Sequence, residues 1–146
     1  MNIKYYNKLQ ELPNRKFCIN KINNLLEETL YSNKSFVIFF IDLDRFQHVN
    51  NTLGHILGDE LLELVATRLQ ADLKELHQDS FLAYWHGDKF MILMRHVYNY
   101  NSAQLEEKIN IVGQSFQKPF YIYGHEIYIK ASWGVTIAPY DGTDAE

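Results

Sequence analysis

Six apolar residues, Phe36-Val-Ile-Phe-Phe-Ile41, run straight into two carboxylates, Asp42 and Asp44, with Leu43 between them. The run is crowded with β-branched and aromatic residues, which predicts a strand buried on both faces and so a sheet covered by helices. Side chains alternate along a strand, so Asp42 and Asp44 fall on one side of it, at the edge of the core. A buried strand that delivers carboxylates at its carboxyl end suits a divalent-metal or phosphate site. The same two residues also suit a plain strand end and turn.

The rest of the chain supplies elements to cover that strand. Leu12-Pro-Asn-Arg-Lys16 reads as a helix start, followed by Phe17, Ile22, Leu25, Leu26 and Leu30 at mostly helical spacing. Arg45 to Asn51 reads as a short helix or turn. Leu53-Gly-His-Ile-Leu-Gly-Asp59 leads into an amphipathic helix with the stripe Leu57, Leu61, Leu64/Val65 and Leu69, extending toward Leu76. Phe81–Trp85 and Lys89–Met94 read as a hairpin turning at Gly87-Asp88. Ser102 is a candidate N-cap for a helix striped by Leu105, Ile109, Val112 and Phe116. Pro119–Tyr123 and Glu126–Lys130 read as a second hairpin around Gly124-His125, and Ser132–Ala138 as a last strand ended by Pro139. Hairpins interrupted by helices predict an α+β domain with a mostly antiparallel sheet.

With 146 residues, the chain is expected to form one domain with a real core. Its longest apolar run is too short for a membrane span, and its start has no signal-peptide pattern. The single Cys18 rules out an internal disulfide framework and fits a reducing cytosol. With a net charge of −4 and no run of Lys or Arg, the chain is not expected to bind a nucleic-acid backbone. A phosphate ligand would depend on a metal and backbone N–H groups.

Several polar residues cluster around the central strand and first hairpin. Each has a structural explanation taken singly: Asn50 or Asn51 as a turn cap, Asp59 near a helix N-terminus, Asp88 as a turn residue. Taken together, Asp42-Leu-Asp-Arg-Phe46, Asn50-Asn-Thr-Leu-Gly-His55, Gly58-Asp59 and His86-Gly-Asp-Lys-Phe90 resemble the GGDEF domain of diguanylate cyclases. Leu12-Pro-Asn-Arg15 resembles that family's opening motif, and Ser132-Trp-Gly134 with Pro139 its late strand. The resemblance runs from about Leu9 onward. It implies a five-stranded central sheet flanked by helices, like the palm of nucleotidyl cyclases and polymerases.

The resemblance also implies roles. In the family two domains face each other, each holding GTP, and the two 3′-hydroxyls attack the opposite α-phosphates to give cyclic di-GMP and pyrophosphate. Two Mg2+ ions assist that transfer. Asp42, Asp88 and the backbone carbonyl of Leu43 would hold metal, with Asp88 the catalytic acid if the domain is active. Asn50 and Asp59 would hydrogen-bond the guanine edge. Asp44, Arg45, Phe46 and Gln47 would wrap the β- and γ-phosphates through their N–H groups, and Gly87 would also bind the nucleotide.

His86-Gly-Asp-Lys-Phe90 departs from the family's Gly-Gly-Asp/Glu-Glu-Phe signature at His86 and Lys89. His86 puts an imidazole where the hairpin is bare in the family. Were positive φ required there, a side chain would cost about 1–2 kcal/mol. Lys89 replaces a carboxylate with an ammonium. At about 6 Å and an effective dielectric of about 20, it would repel a divalent ion by roughly 5 kcal/mol, reduced if the side chain swings to water. In the opposite sense, Lys89 could contact phosphate as a point charge. Tyr84 stands where the family has Arg, and Gln47 where it has Lys. The family's product-inhibition motif, Arg-x-x-Asp, is here His77-Gln-Asp-Ser80, so no such site is expected.

These features point to a degenerate GGDEF domain without cyclase activity. It would act as a cytoplasmic GTP-binding regulatory module for an attached domain, such as a C-terminal EAL phosphodiesterase. Mg2+ binding is expected to be weak or absent, and homodimerisation through facing sites is open. The alternatives are an active or weakly active cyclase and a nucleotide-free dimerisation scaffold. The chain is expected to be part of a longer protein, stopping short of the family's final helix.

Overall fold

A computed structural model describes residues 8–29, 35–76, 79–97 and 102–138. The elements in chain order are α1 (Lys8–Glu11), α2 (Arg15–Thr29), β1 (Ser35–Leu43), α3 (Phe46–Leu53), α4 (His55–Leu76), β2 (Ser80–His86), β3 (Lys89–Val97), α5 (Ser102–Gln114), β4 (Phe120–Ile122), β5 (His125–Ile127) and β6 (Ala131–Ala138). The expected α+β class holds. β1 is a central strand in a sheet of order β2-β3-β1-β6, with every pairing antiparallel.

Alternation along β1 divides the core into two layers. Val37, Phe39, Ile41 and Leu43 meet Leu61, Leu62, Val65 and Leu69 of α4 on one face. Phe36 and Ile38 meet Cys18, Ile22, Leu25 and Leu26 of α2 on the other. This double cover explains the unbroken apolar run. The cover on the α2 side stops before the end of the strand: Phe40 is 42% exposed, and Asp42 lies beyond it on the same face. Cys18 is fully buried, and burial pushes its thiol up to about 11, so it is a core residue and not a nucleophile.

The structure differs from expectation in several places. The central sheet has four strands among the described residues, not five, because β4 and β5 pair only with each other. Their turn is Tyr123-Gly124, one residue earlier than expected. Both turn residues have positive φ (48° and 82°), which suits the tight right-twisted turn of a two-residue hairpin. α4 begins at His55, earlier than expected, and Asp59 lies near its N-terminus, inside the helix. Phe17 is 49% exposed, and Cys18 takes its place on the buried face of α2. Leu30, His77, Gln78, Pro139 and the residues after it lie outside the described residues.

The opening motif does more than start a helix. The Asn14 side chain accepts the Phe17 amide at 2.9 Å as an N-cap, while the Pro13 carbonyl accepts the Tyr84 amide at 3.1 Å. Leu12 is buried in the core, and the Arg15 guanidinium sits 5.5 Å from the centre of the Trp85 ring. The motif thereby ties the first helices to β2, the strand that leads into the polar hairpin.

Candidate functional site

The carboxyl end of β1, the start of α3, the first turns of α4 and the β2–β3 hairpin converge at one end of the sheet. Asp42 lies opposite Lys89 on β3 and Ser132 on β6. The Leu43 amide donates to the Asp88 carbonyl at 3.1 Å, which ties the hairpin turn to the strand end. The structure thus brings together Asp42, Leu43, Asp88 and Lys89.

The hairpin turn is Gly87-Asp88, as expected, and the left-handed residue is Gly87 (φ 57°). Among the described residues only Arg45 and Tyr123 combine a side chain with positive φ, so the strain anticipated at His86 is not there. The register shifts between Tyr84 and His86, a bulge that re-aims the end of β2 beside the site. His86 remains exposed.

Tyr84 is a residue whose role the sequence did not reveal. Its ring packs on Phe90 with centroids 5.3 Å apart, and its hydroxyl donates to the Gly87 carbonyl at 2.6 Å. Burial, then the carboxylates of Asp59 and Asp88, push that hydroxyl above the ordinary tyrosine range. Tyr84 therefore ties the end of β2 to the hairpin turn. A tyrosine replaces the expected arginine with a lock on the turn.

The strand–helix junction is strained. Arg45 caps α3 with φ 58°, ψ 28° and no side-chain cap bond. Arg45 thus gives the first-turn amides of α3 no side-chain acceptor, and the His48 amide donates to the Arg45 carbonyl at 3.0 Å. Asp44 departs from the expected phosphate wrap. Its amide already donates to the Lys130 carbonyl at 2.8 Å, and its carboxylate accepts the Ser132 hydroxyl at 2.7 Å. It pins β6 to the strand end, a role that only the β1–β6 pairing reveals. Arg45, Phe46 and Gln47 keep their place at the head of α3, where Phe46 is buried and Gln47 Nε2 donates to Asn51 Oδ1 at 3.2 Å.

Asn50 on α3 faces Gly58 on α4. Its Oδ1 is buried with no hydrogen-bond partner, an exception of the kind that calls for an explanation such as a ligand. Asp59, the next residue of α4, is exposed. The two proposed guanine readers thus stand at the junction of two helices.

At the strand end, the Lys89 ammonium lies 3.0 Å from Asp88 Oδ1 and 3.7 Å from Asp42 Oδ2. Desolvation and then the Asp88 charge push the Asp42 carboxyl up, and Lys89 partly opposes them. The hydrogen bond to Asp88 holds the Lys89 ammonium more firmly protonated than usual. Of the product-inhibition stretch, His77 and Gln78 lie outside the described residues, and Asp79 accepts a hydrogen bond from Arg95 Nε at 2.8 Å.

Residues 4–146 match the family described as "Diguanylate cyclase, GGDEF domain". The chain is 36% identical over 142 residues to the signaling protein YkoW of Bacillus subtilis, covering 96% of this chain and 17% of YkoW. It is 34% identical to MucR of Pseudomonas aeruginosa, described as a bifunctional diguanylate cyclase/cyclic di-GMP phosphodiesterase, covering 94% of this chain and 19% of MucR. The chain therefore spans less than a fifth of either relative. Among solved structures, the GGDEF domain of YfiN (TpbB) from Pseudomonas aeruginosa superposes with a TM-score of 0.83 at 25% identity, covering 94% of this chain and 83% of that one. A sensory box/GGDEF family protein from Caulobacter crescentus gives 0.80 at 29% identity, covering 92% and 83%. By family match and by fold, this chain belongs to the GGDEF domains of the diguanylate cyclase family.

Proposed function

We propose that this chain is a degenerate GGDEF module that binds GTP without converting it to cyclic di-GMP and regulates a domain attached to it. The observation that carries this reading is the Lys89 ammonium, 3.0 Å from the Asp88 carboxylate at the position where the family signature has an acid. Asn50 and Asp59 read guanine in this proposal; Asn50 packs on Gly58 with its amide oxygen unpartnered, and Asp59 beside it is exposed. Recognition is retained while the chemical centre is altered. The module works in the cytoplasm, where GTP is, and an EAL phosphodiesterase is the attached domain the reading favours. One matched structure is an EAL/GGDEF domain protein of M. capsulatus, and a 29% identical relative is the cyclic di-GMP phosphodiesterase NbdA.

One observation favours a second reading, a weakly active cyclase: both acids, Asp42 and Asp88, are present and adjacent. Incubation with GTP and Mg2+ separates the two. The expected result is bound GTP and no cyclic di-GMP, with some product appearing in the double variant His86→Gly/Lys89→Glu. Mg2+-dependent pyrophosphate release by the unmodified chain, abolished by Asp42→Ala, would establish the cyclase instead. A barrier about 4 kcal/mol higher already slows turnover about a thousandfold.

A further inference from the structure

Lys89 stands directly across the β1–β3 ladder from Asp42 and next in sequence to Asp88. Its ammonium is within 3.0 Å of one carboxylate and 3.7 Å of the other. One cation therefore serves both acids assigned to metal by resemblance. An ammonium has three donors on a flexible stem, so it can face two acceptors at once. As a contribution to stability, a pair this exposed counts for little. Its consequence is occupancy and charge. Asp42 and Asp88 together carry −2, and Lys89 returns +1 between them. A divalent ion must expel the ammonium from the carboxylates or sit beside it at like charge. The residues present do not fit the divalent ion that the family's chemistry uses.

We infer that Lys89 is a tethered counter-cation that takes the place of a divalent metal between Asp42 and Asp88. This rests on reading the cleft as a nucleotide site, and it specifies the regulation of that site: its ligand is held without a magnesium requirement. The base then carries the selectivity, and the α3 amides meet the phosphates directly.

The test uses the metal alone, so that it stands apart from GTP binding and from turnover. Mn2+ is titrated into the unmodified chain, Lys89→Gln and Lys89→Glu, and free Mn2+ is read by electron paramagnetic resonance. Circular dichroism checks the fold of each variant. The expected result is that Lys89→Glu binds Mn2+ at least tenfold more tightly than the unmodified chain, with Lys89→Gln between them. Adding Asp42→Asn to Lys89→Glu is expected to remove the gain. Saturable Mn2+ binding by the unmodified chain equal to that of Lys89→Glu would overturn the inference. So would the absence of any gain in both folded Lys89 variants. If GTP fails to bind while the Lys89→Glu gain is seen, the nucleotide reading fails and the counter-cation stands.

Discussion

A methyl group on Gly58 would overlap the amide oxygen of Asn50 and come within 3.4 Å of the Phe46 ring. The missing side chain at Gly58 is what lets α3 and α4 meet with Asn50 between them. Gly58→Ala is expected to rotate the Asn50 amide away. Alanine also gains about 1 kcal/mol of helix propensity over glycine, which offsets the steric cost. Stability should therefore stay within about 1 kcal/mol while GTP affinity falls tenfold or more, about 1.4 kcal/mol. Denaturant titration and equilibrium dialysis read the two effects separately. Loss of stability in step with loss of affinity would assign Gly58 to packing alone.

GTP is expected to bind at least tenfold tighter than ATP. An adenine edge presents the wrong donors and acceptors to Asn50 and Asp59, and an unpaired partner costs about 1–3 kcal/mol. Asp59→Ala should erase most of the difference. Equal affinities in the unmodified chain would remove guanine reading from the site.

Tyr84 ties stability to alkaline pH. Its folded-state pKa is raised above the ordinary value of 10.0 by burial and by Asp59 and Asp88. An acid with a raised folded pKa contributes stability in full below the unfolded value and loses it as pH rises through the folded one. Unfolding followed from pH 8 to 11 should show a steeper decline above pH 10 than in Tyr84→Phe, since the buried Cys18, pushed up to about 11, adds its own decline to both proteins. At pH 8 the Phe variant should lose about 1 kcal/mol, the worth of the bond to the Gly87 carbonyl. A parallel decline in both proteins would assign the alkaline loss to other groups.

Arg45 holds φ 58° at the head of α3. A left-handed residue with a side chain costs about 1–2 kcal/mol, while glycine loses about 0.5–1 kcal/mol of that gain to chain entropy. Arg45→Gly should therefore raise stability by up to about 1 kcal/mol, and Arg45→Val should lower it. A destabilised glycine variant would mean that the arginine side chain contributes more than the strain removes.

The β1 strand, the helices α2, α4 and α5 and the polar hairpin were all legible in the chain itself. Their patterns are local: an apolar run for a strand covered on both faces, a helical stripe, a glycine at a turn. The resemblance carried by Asp42, Asn50, Asp59 and His86-Gly-Asp-Lys-Phe90 pointed to the right family for the same reason, since its residues keep fixed spacing.

Partnerships across the sheet were not legible, because they join residues far apart in sequence. Asp44 looked like a phosphate-wrapping residue, but its amide and carboxylate meet Lys130 and Ser132 on the β6 side. The anticipated strain at His86 depended on which turn residue takes positive φ, and the hairpin register gives that to Gly87. Tyr84 was a departure without a role until the bulged end of β2 set its hydroxyl on the turn. Lys89 was expected to repel a metal or swing into solvent. Pairing β3 with β1 places it across from Asp42, so its charge lies between two carboxylates. Residue type and spacing specify which charges are present, but only strand pairing specifies which of them meet.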